Sequence, residues 1–250
     1  MFLRNNILFI VLTGLIQLVS IDVRAQSINA NVIGPGVGEP GQTMLEYRAG
    51  YERDDLSPSA DKRFSDRIDF FYSITDTSQI QLFVNRVDPG NDDSEITSYA
   101  IQPRFELYQQ DTDGFTGAIV PAVIFQTDRD RPDFARVAWA SDSPVGENWM
   151  LRANGIIGHQ FGNNSESGVT LGIRGRATYE TPWGPRIGPE FFSAIGNLET
   201  FETIDERGNR AGIVVEGFLS ENISYQAGYL RGLTDVTPDH AGKLWIRYHF

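Results

Sequence analysis

Cysteine is absent from all 250 residues, so disulfides, thiolate nucleophiles and cysteine metal sites are excluded outright. Histidine is scarce, with three in total, at His159, His240 and His249. No metal-ligand cluster, phosphate-cradling glycine loop or nucleophile elbow is present, so neither a metal nor a cofactor is expected. Positive charge is in deficit: 21 Lys and Arg stand against 33 Asp and Glu, for a formal net charge of −12. That balance gives no basic face on which nucleic acid could dock as a partner. After the first two dozen residues, no uncharged apolar run approaches the ~20 residues of a membrane-spanning helix.

The amino-terminal residues have a different character. Arg4 precedes an apolar core from Ile7 to Val19 that is broken by Thr13, Gly14 and Gln17, and Val23-Arg24-Ala25 closes on small residues. Residues 1–25 therefore read as a secretory signal peptide cleaved before Gln26. Its removal takes away Arg4, Asp22 and Arg24 and shifts the formal charge from −12 to −13. Residues 26–42, rich in Ala, Asn, Gly and Pro, have no periodicity and are expected to form an extended periplasmic lead-in. Residues 43–250 suit one large β domain, and nothing in them reads as a linker.

Within that domain the apolar residues alternate. Leu45, Tyr47, Ala49 and Tyr51 oppose Glu46, Arg48 and Glu52, and Ile68, Phe70, Tyr72 and Ile74 oppose Arg67, Asp69 and Ser73. The same period of two recurs through residues 80–85, 99–107, 149–157, 169–179, 186–195, 213–219, 223–229 and 243–250, as in strands with two unlike faces. Gly117–Phe125 is apolar on both faces and is expected to pack its inner side against a plug or loop, while Phe134–Ser141 reads as a short sixth strand. Twelve strands result; because the sixth is the weakest, ten or fourteen stay open. Pro103, Pro121 and Pro189 fall inside strands, where each removes a ladder donor, so bulges or displaced strand ends are expected there.

The connections alternate in length. If both chain ends face the periplasm, the tight turns at 75–78, 181–185 and 220–222 lie on that side. The charged stretches 54–63, 88–94, 128–133, 162–167, 198–210 and 234–241 lie on the other. Short turns at one end, long loops at the other and an even strand count fit a transmembrane antiparallel up-and-down β-barrel in the cell outer membrane, with its lipid as a partner. A soluble sandwich has no reason for that asymmetry.

By parity the inner face is strongly ionic. Glu46, Arg48, Glu52, Arg67, Asp69, Arg104, Glu106, Arg152, Arg174, Arg176, Glu190, Glu216, Lys243 and Arg247 all point inward. Pairing of the last strand with the first would bring Lys243 and Arg247 beside Glu46 and Arg48. Arg152, Arg174 and Arg176 on neighbouring strands form the best candidate for a basic ladder. Two readings stay open: these charges neutralise one another and fill a narrow barrel, or they face water and select small permeating solutes. His159, near Asn163, Asn164 and Ser165 on a lipid-facing parity, raises a rival reading as a lipid-facing enzyme of phospholipase or deacylase type, but the spacing of such a site is missing. A structural or adhesive barrel is a third class. Trp139, Trp149 and Trp183 fall near strand ends as headgroup-level girdle residues, while Trp245 has inward parity.

The last nine residues, Gly242 to Phe250, place Leu244, Ile246, Tyr248 and Phe250 on one apolar face and Lys243, Trp245, Arg247 and His249 on the other. This stretch resembles the terminal signal strand of bacterial outer-membrane β-barrels, and the resemblance implies the barrel-assembly machinery as a partner. Tyr225-Gln-Ala-Gly-Tyr229 and Gly232-Leu-Thr-Asp-Val-Thr-Pro-Asp-His240 precede it. Together with the terminal strand, they resemble the end of the outer-membrane proteins grouped with the meta-pathway phenol-degradation and putative transporter barrels. That resemblance implies a channel-like, non-enzymatic barrel passing small, often organic, solutes, and it brings no catalytic residues with it.

Overall fold

The computed structural model describes residues 29–54, 62–88, 94–109, 114–200 and 203–250; the signal-peptide segment lies outside them. Twelve strands follow one another: β1 (Thr43–Arg53), β2 (Arg63–Ser73), β3 (Ser78–Asp88), β4 (Glu95–Gln109), β5 (Thr116–Gln126), β6 (Asp133–Val145), β7 (Trp149–Phe161), β8 (Thr170–Glu180), β9 (Arg186–Asn197), β10 (Asn209–Ser220), β11 (Ile223–Gly232) and β12 (His240–His249). Each pairs antiparallel with its sequence neighbours, and β12 pairs with β1, so the sheet closes and has no free edge. Closure gives every strand a partner on both sides, as a spanning β structure requires in hydrocarbon.

Alternation decides which face goes where. The apolar parity of β1 and β2 points outward, with Leu45, Tyr47, Tyr51, Ile68, Phe70 and Tyr72 between 41 and 55% exposed. On β12, Leu244, Ile246 and Tyr248 do the same, and Tyr248 meets Phe250 edge to face at 4.8 Å. Polar residues of the opposite parity are buried inside. A continuous outer apolar belt around a polar interior is the arrangement of a transmembrane barrel. Among the described residues no helix is long and apolar enough to cross a membrane.

The sixth strand differs from its expected short span. It runs on from Ser141 through Asp142, Ser143 and Pro144, paired residue for residue with β7 as far as Val145↔Trp149. Hydropathy hides this end because its inward residue is Asp142, which takes Arg152 at 2.7 Å. A tight turn with Gly146 at a φ of +63° then reverses the chain, a conformation that glycine adopts without steric cost.

The prolines interrupt the ladders without displacing the strands. Counting along β4 and β5 from Ile101↔Val123 to Phe105↔Ile119 sets Pro103 opposite Pro121, and the pairing lapses between those two points. Two missing donors thus share one gap. Near Pro189 the β8–β9 pairing likewise lapses between Arg176↔Glu190 and Tyr179↔Ile187. There the backbones approach so closely that a Cβ on Gly188 would sit 1.8 Å from the Ala177 carbonyl oxygen.

Candidate functional site: the ionic lumen

The lumen begins at the closing seam, where register places Glu46 opposite Arg247 on β12 and opposite Asp69 on β2. Arg247 donates to Glu46 Oε2 through Nε at 2.9 Å and Nη2 at 2.6 Å, while Arg48 donates to Glu46 Oε1 through Nε at 2.6 Å. Arg48 also reaches Asp69 at 3.2 Å, and Arg67 donates to Asp69 through Nε at 2.7 Å. From Asp69 the network leaves the charged residues: Gln81 donates to it at 2.5 Å, Gln102 donates to Gln81 at 2.6 Å, and Arg136 donates to Gln102 at 2.9 Å. One chain of polar contacts therefore runs from β12 through β1, β2, β3 and β4 to β6. Buried charge held this way costs less than its desolvation alone would suggest.

A second group occupies the far wall. Arg176 is held by Glu190 at 3.2 Å and by Glu216 at 2.7 Å, and Lys243 meets Glu190 at 2.5 Å. Lys243 thus turns its ammonium to Glu190 and not to Glu46, although it stays beside Arg48 as strand pairing leads one to expect. The physical reason is two glycines. Glu190 faces Gly212 on β10, and Lys243 faces Gly228 on β11. With glycine at these two positions, the lysine reaches the carboxylate across the intervening strands, and a Cβ on Gly228 would lie 2.8 Å from the lysine Cε. Trp245 is buried inward as its parity requires, stacked under Arg48 at 4.8 Å and Lys243 at 4.7 Å.

The residues proposed to line the lumen (Glu46, Arg48, Arg67, Asp69, Arg104, Glu106, Arg152, Arg174, Arg176, Glu190, Glu216 and Arg247) do lie on the inner face. Arg152, Arg174 and Arg176 lie on neighbouring strands as expected, but carboxylates answer two of them. Arg152 and Arg176 face each other in register, but Asp142 draws the first aside and Glu190 with Glu216 draws the second. Asp142, Arg136 and Arg210 were missed, while Gln81, Gln102 and Asn154 have the expected polar parity but were not singled out. Arg136 and Asp142 have the inward parity of β6, which could have revealed them. Arg210, bonded to Glu52 at 2.7 Å, precedes the first periodic residue of its strand.

The segment before β1 is the largest departure from expectation. Its described part does not extend into the periplasm as a lead-in; it runs inside the barrel. Gln42 and Gly41 bond to Ser73 at the short-turn end of β2. The chain then climbs the lumen: Val37 N donates to Glu106, and Arg104 donates to the Gly36 carbonyl at 2.7 Å. The Asn154 amide clasps both sides of Ile33, accepting from its N–H at 2.7 Å and donating to its carbonyl at 2.9 Å. Arg174 and Arg176 hold Asn31, and Arg48 holds the carbonyl of Asn29. Apolar contacts complete the fit. Ile33 packs on Ala118, Val120, Ala138, Ala140 and Ile156, and Val32 packs on Phe192, Leu230 and Ala241. The first cluster explains why Gly117–Phe125 is apolar on both faces: one meets the outside and the other meets this segment.

Among the described residues two cavities stand out in the lumen. One of about 340 Å³ opens toward the long-loop ends, lined by Arg63, Val87, Thr97 and Arg131, and reaches inward to Arg48, Arg136 and Arg174. The other, of about 500 Å³, lies toward the short-turn end between Glu180, Arg186, Phe218, Tyr225 and Trp245. Arg247 lines both. Outside the barrel, Trp139, Trp149 and Trp183 are exposed. His159 is exposed too, its Nδ1 2.8 Å from the Gly168 carbonyl oxygen; this places a backbone acceptor, not a nucleophile, at the ring. Among the described residues no group of acidic or histidine side chains is arranged to hold a metal.

No family model matches the chain, and no curated protein matches it by sequence. Solved structures do match by fold. The COG4313 outer membrane channel from Pseudomonas putida F1 superposes with a TM-score of 0.65 at 15% identity, covering 86% of this chain and 98% of that one. The KdgM porin in complex with disordered oligogalacturonate gives 0.59 at 9% identity over 83% and 99% of the two chains. The architecture of this chain is that of the outer-membrane β-barrels.

Proposed function

We propose that this chain is a channel-like barrel of the bacterial outer membrane, not an enzyme, and that it passes small solutes through a lumen narrowed by its own residues 29–42. The observation that carries the reading is the pair of lumenal cavities, one toward each end of the barrel, with Arg247 shared between their linings. A barrel that served only as scaffold gains nothing from polar cavities at both ends, since empty volume forfeits packing. The structural neighbours called a channel and a porin support the reading. So does the likeness of residues 225–250 to the meta-pathway phenol-degradation barrels, which favours small organic solutes. The outer belt suits membrane lipid as a partner, and the terminal face of Leu244, Ile246, Tyr248 and Phe250 suits the barrel-assembly machinery.

The test is single-channel recording and liposome swelling on the purified protein, with and without residues 29–37. Wild-type protein should conduct weakly and admit a small neutral sugar slowly, and the deletion should raise both. Silence from both forms, each shown to be folded by heat-modifiable gel mobility, would refute the channel in favour of a filled structural barrel.

A further inference from the structure

The cavity toward the long-loop end has an unusual wall for so acidic a protein. Among the described residues that line it are eight arginines and not one carboxylate. The described carboxylates that serve this wall are set back from it: Arg63 has Glu52 and Arg131 has Asp128. Arg48, Arg67 and Arg247 share only Glu46 and Asp69. Arg104 and Arg136 have no carboxylate at ion-pair distance among the described residues: one donates to the Gly36 carbonyl and the other to Gln102 Oε1. The Nε of each is shut off from solvent and has no hydrogen-bond partner in the described structure, while the rest of each guanidinium is partly open to the cavity. The field there is positive, and the donors are planar forks.

The rest of the wall is apolar. Phe134, Ile124 and Ile33 line the same space. Phe83 lies under Arg67 at 3.4 Å and Phe71 under Arg247 at 5.5 Å, so these rings also back the guanidinium groups. The volume of about 340 Å³ falls at the lower end of the ~300–1,000 Å³ of small-molecule sites.

We propose that this cavity is a binding site for a small organic carboxylate, whose anionic group is taken by Arg104 and Arg136 while its apolar body rests against Phe134, Ile124 and Ile33. Guanidinium forks match a carboxylate in two parallel hydrogen bonds, and a low-dielectric wall strengthens that attraction relative to water. An uncharged solute of the same shape would leave the two guanidinium groups unanswered, which is where discrimination comes from. The proposal rests on the channel reading for its biological use, not for its chemistry.

The experiment is calorimetric titration of the full-length protein in detergent with benzoate and with its neutral isostere benzamide. Benzoate should bind saturably at one site and at least roughly tenfold more tightly than benzamide, as expected for a charge-assisted pair. The R104Q/R136Q variant should lose that preference. Should it fail to fold, the benzoate–benzamide contrast in the wild-type protein decides alone. Equal binding of the two probes, or undiminished benzoate affinity in folded R104Q/R136Q, would overturn the proposal. Liposome swelling with a neutral sugar is run alongside: failure of all uptake refutes the channel while leaving the titration to judge the site.

Discussion

Asn154 offers the sharpest way to separate the barrel wall from the segment inside it. Its side-chain amide makes two bonds to Ile33, at 2.7 and 2.9 Å. Asn154→Ala removes both and leaves one peptide N–H and one carbonyl without those partners. A buried group so stranded costs ~1–3 kcal/mol, and the neighbouring cavities can supply water to one of them, so we expect about 2 kcal/mol in total. The wall should not feel this. Asn154 pairs with Ala140 on β6 and Arg174 on β8 through its backbone, which the substitution does not touch. Because the chain has no cysteine, a single Val32→Cys provides a clean probe; Val32 is wholly buried and the exchange preserves its size closely. A thiol reagent labels it only when the segment leaves its seat, at a rate set by the open fraction. Adding Asn154→Ala should raise labelling roughly thirtyfold, the equivalent of that energy, with the denaturation midpoint of the barrel unchanged. An unaltered labelling rate would refute the clasp. A parallel fall in the midpoint would show instead that the segment and the wall unfold together.

Two further perturbations test the lumen and the wall. Glu46→Gln should lower barrel stability by about 3 kcal/mol, because it strips the main partner from Arg247 and one of two from the buried Arg48; Glu180→Gln, in an exposed pair with Arg186, should cost under ~1 kcal/mol. Urea midpoints in detergent check both, and equal losses would contradict the burial argument. Gly188→Ala should destabilise by about 1–3 kcal/mol through overpacking against the Ala177 carbonyl, whereas Gly155→Ala, which meets nothing within 4 Å, should be close to neutral.

Much of the fold was legible because a period of two has only one register that hides charge. Glu46 inward forces Leu45 and Tyr47 outward, and the same constraint repeats strand after strand. Where the inward residue is itself acidic, as at Asp142, hydropathy cannot tell a strand end from a loop, and the sixth strand was read too short. Proline signals were real but misread. Nothing in the sequence says that Pro103 and Pro121 will face one another, since that depends on the register between β4 and β5. The interior segment was invisible for a related reason. Residues 29–37 have no regular hydrogen bonding of their own, so no period betrays them. Their hydrogen-bonding partners are side chains scattered over five strands, β1, β2, β4, β7 and β8, including Arg48, Ser65, Glu106, Asn154 and Arg174.

Parity assigns a face; it does not assign a partner, and the character of this lumen lies in the partners. Arg152, Arg176 and Arg136 all point inward by the same rule. The first two are neutralised because Asp142 lies opposite one and Glu190 opposite the other, while the third, among the described residues, donates to an amide oxygen. What separates a filling charge from a field-setting one is thus the residue it meets across the sheet, on the next strand for Arg152 and Arg176 and three strands away for Lys243. A net charge of −12 says nothing of this either. Among the described residues, Glu46 and Asp69 lie at the closing seam and Glu190 and Glu216 on the far wall, and the cavity toward the long loops is lined by arginine without a carboxylate. An acidic barrel can therefore present an anion with a positive interior.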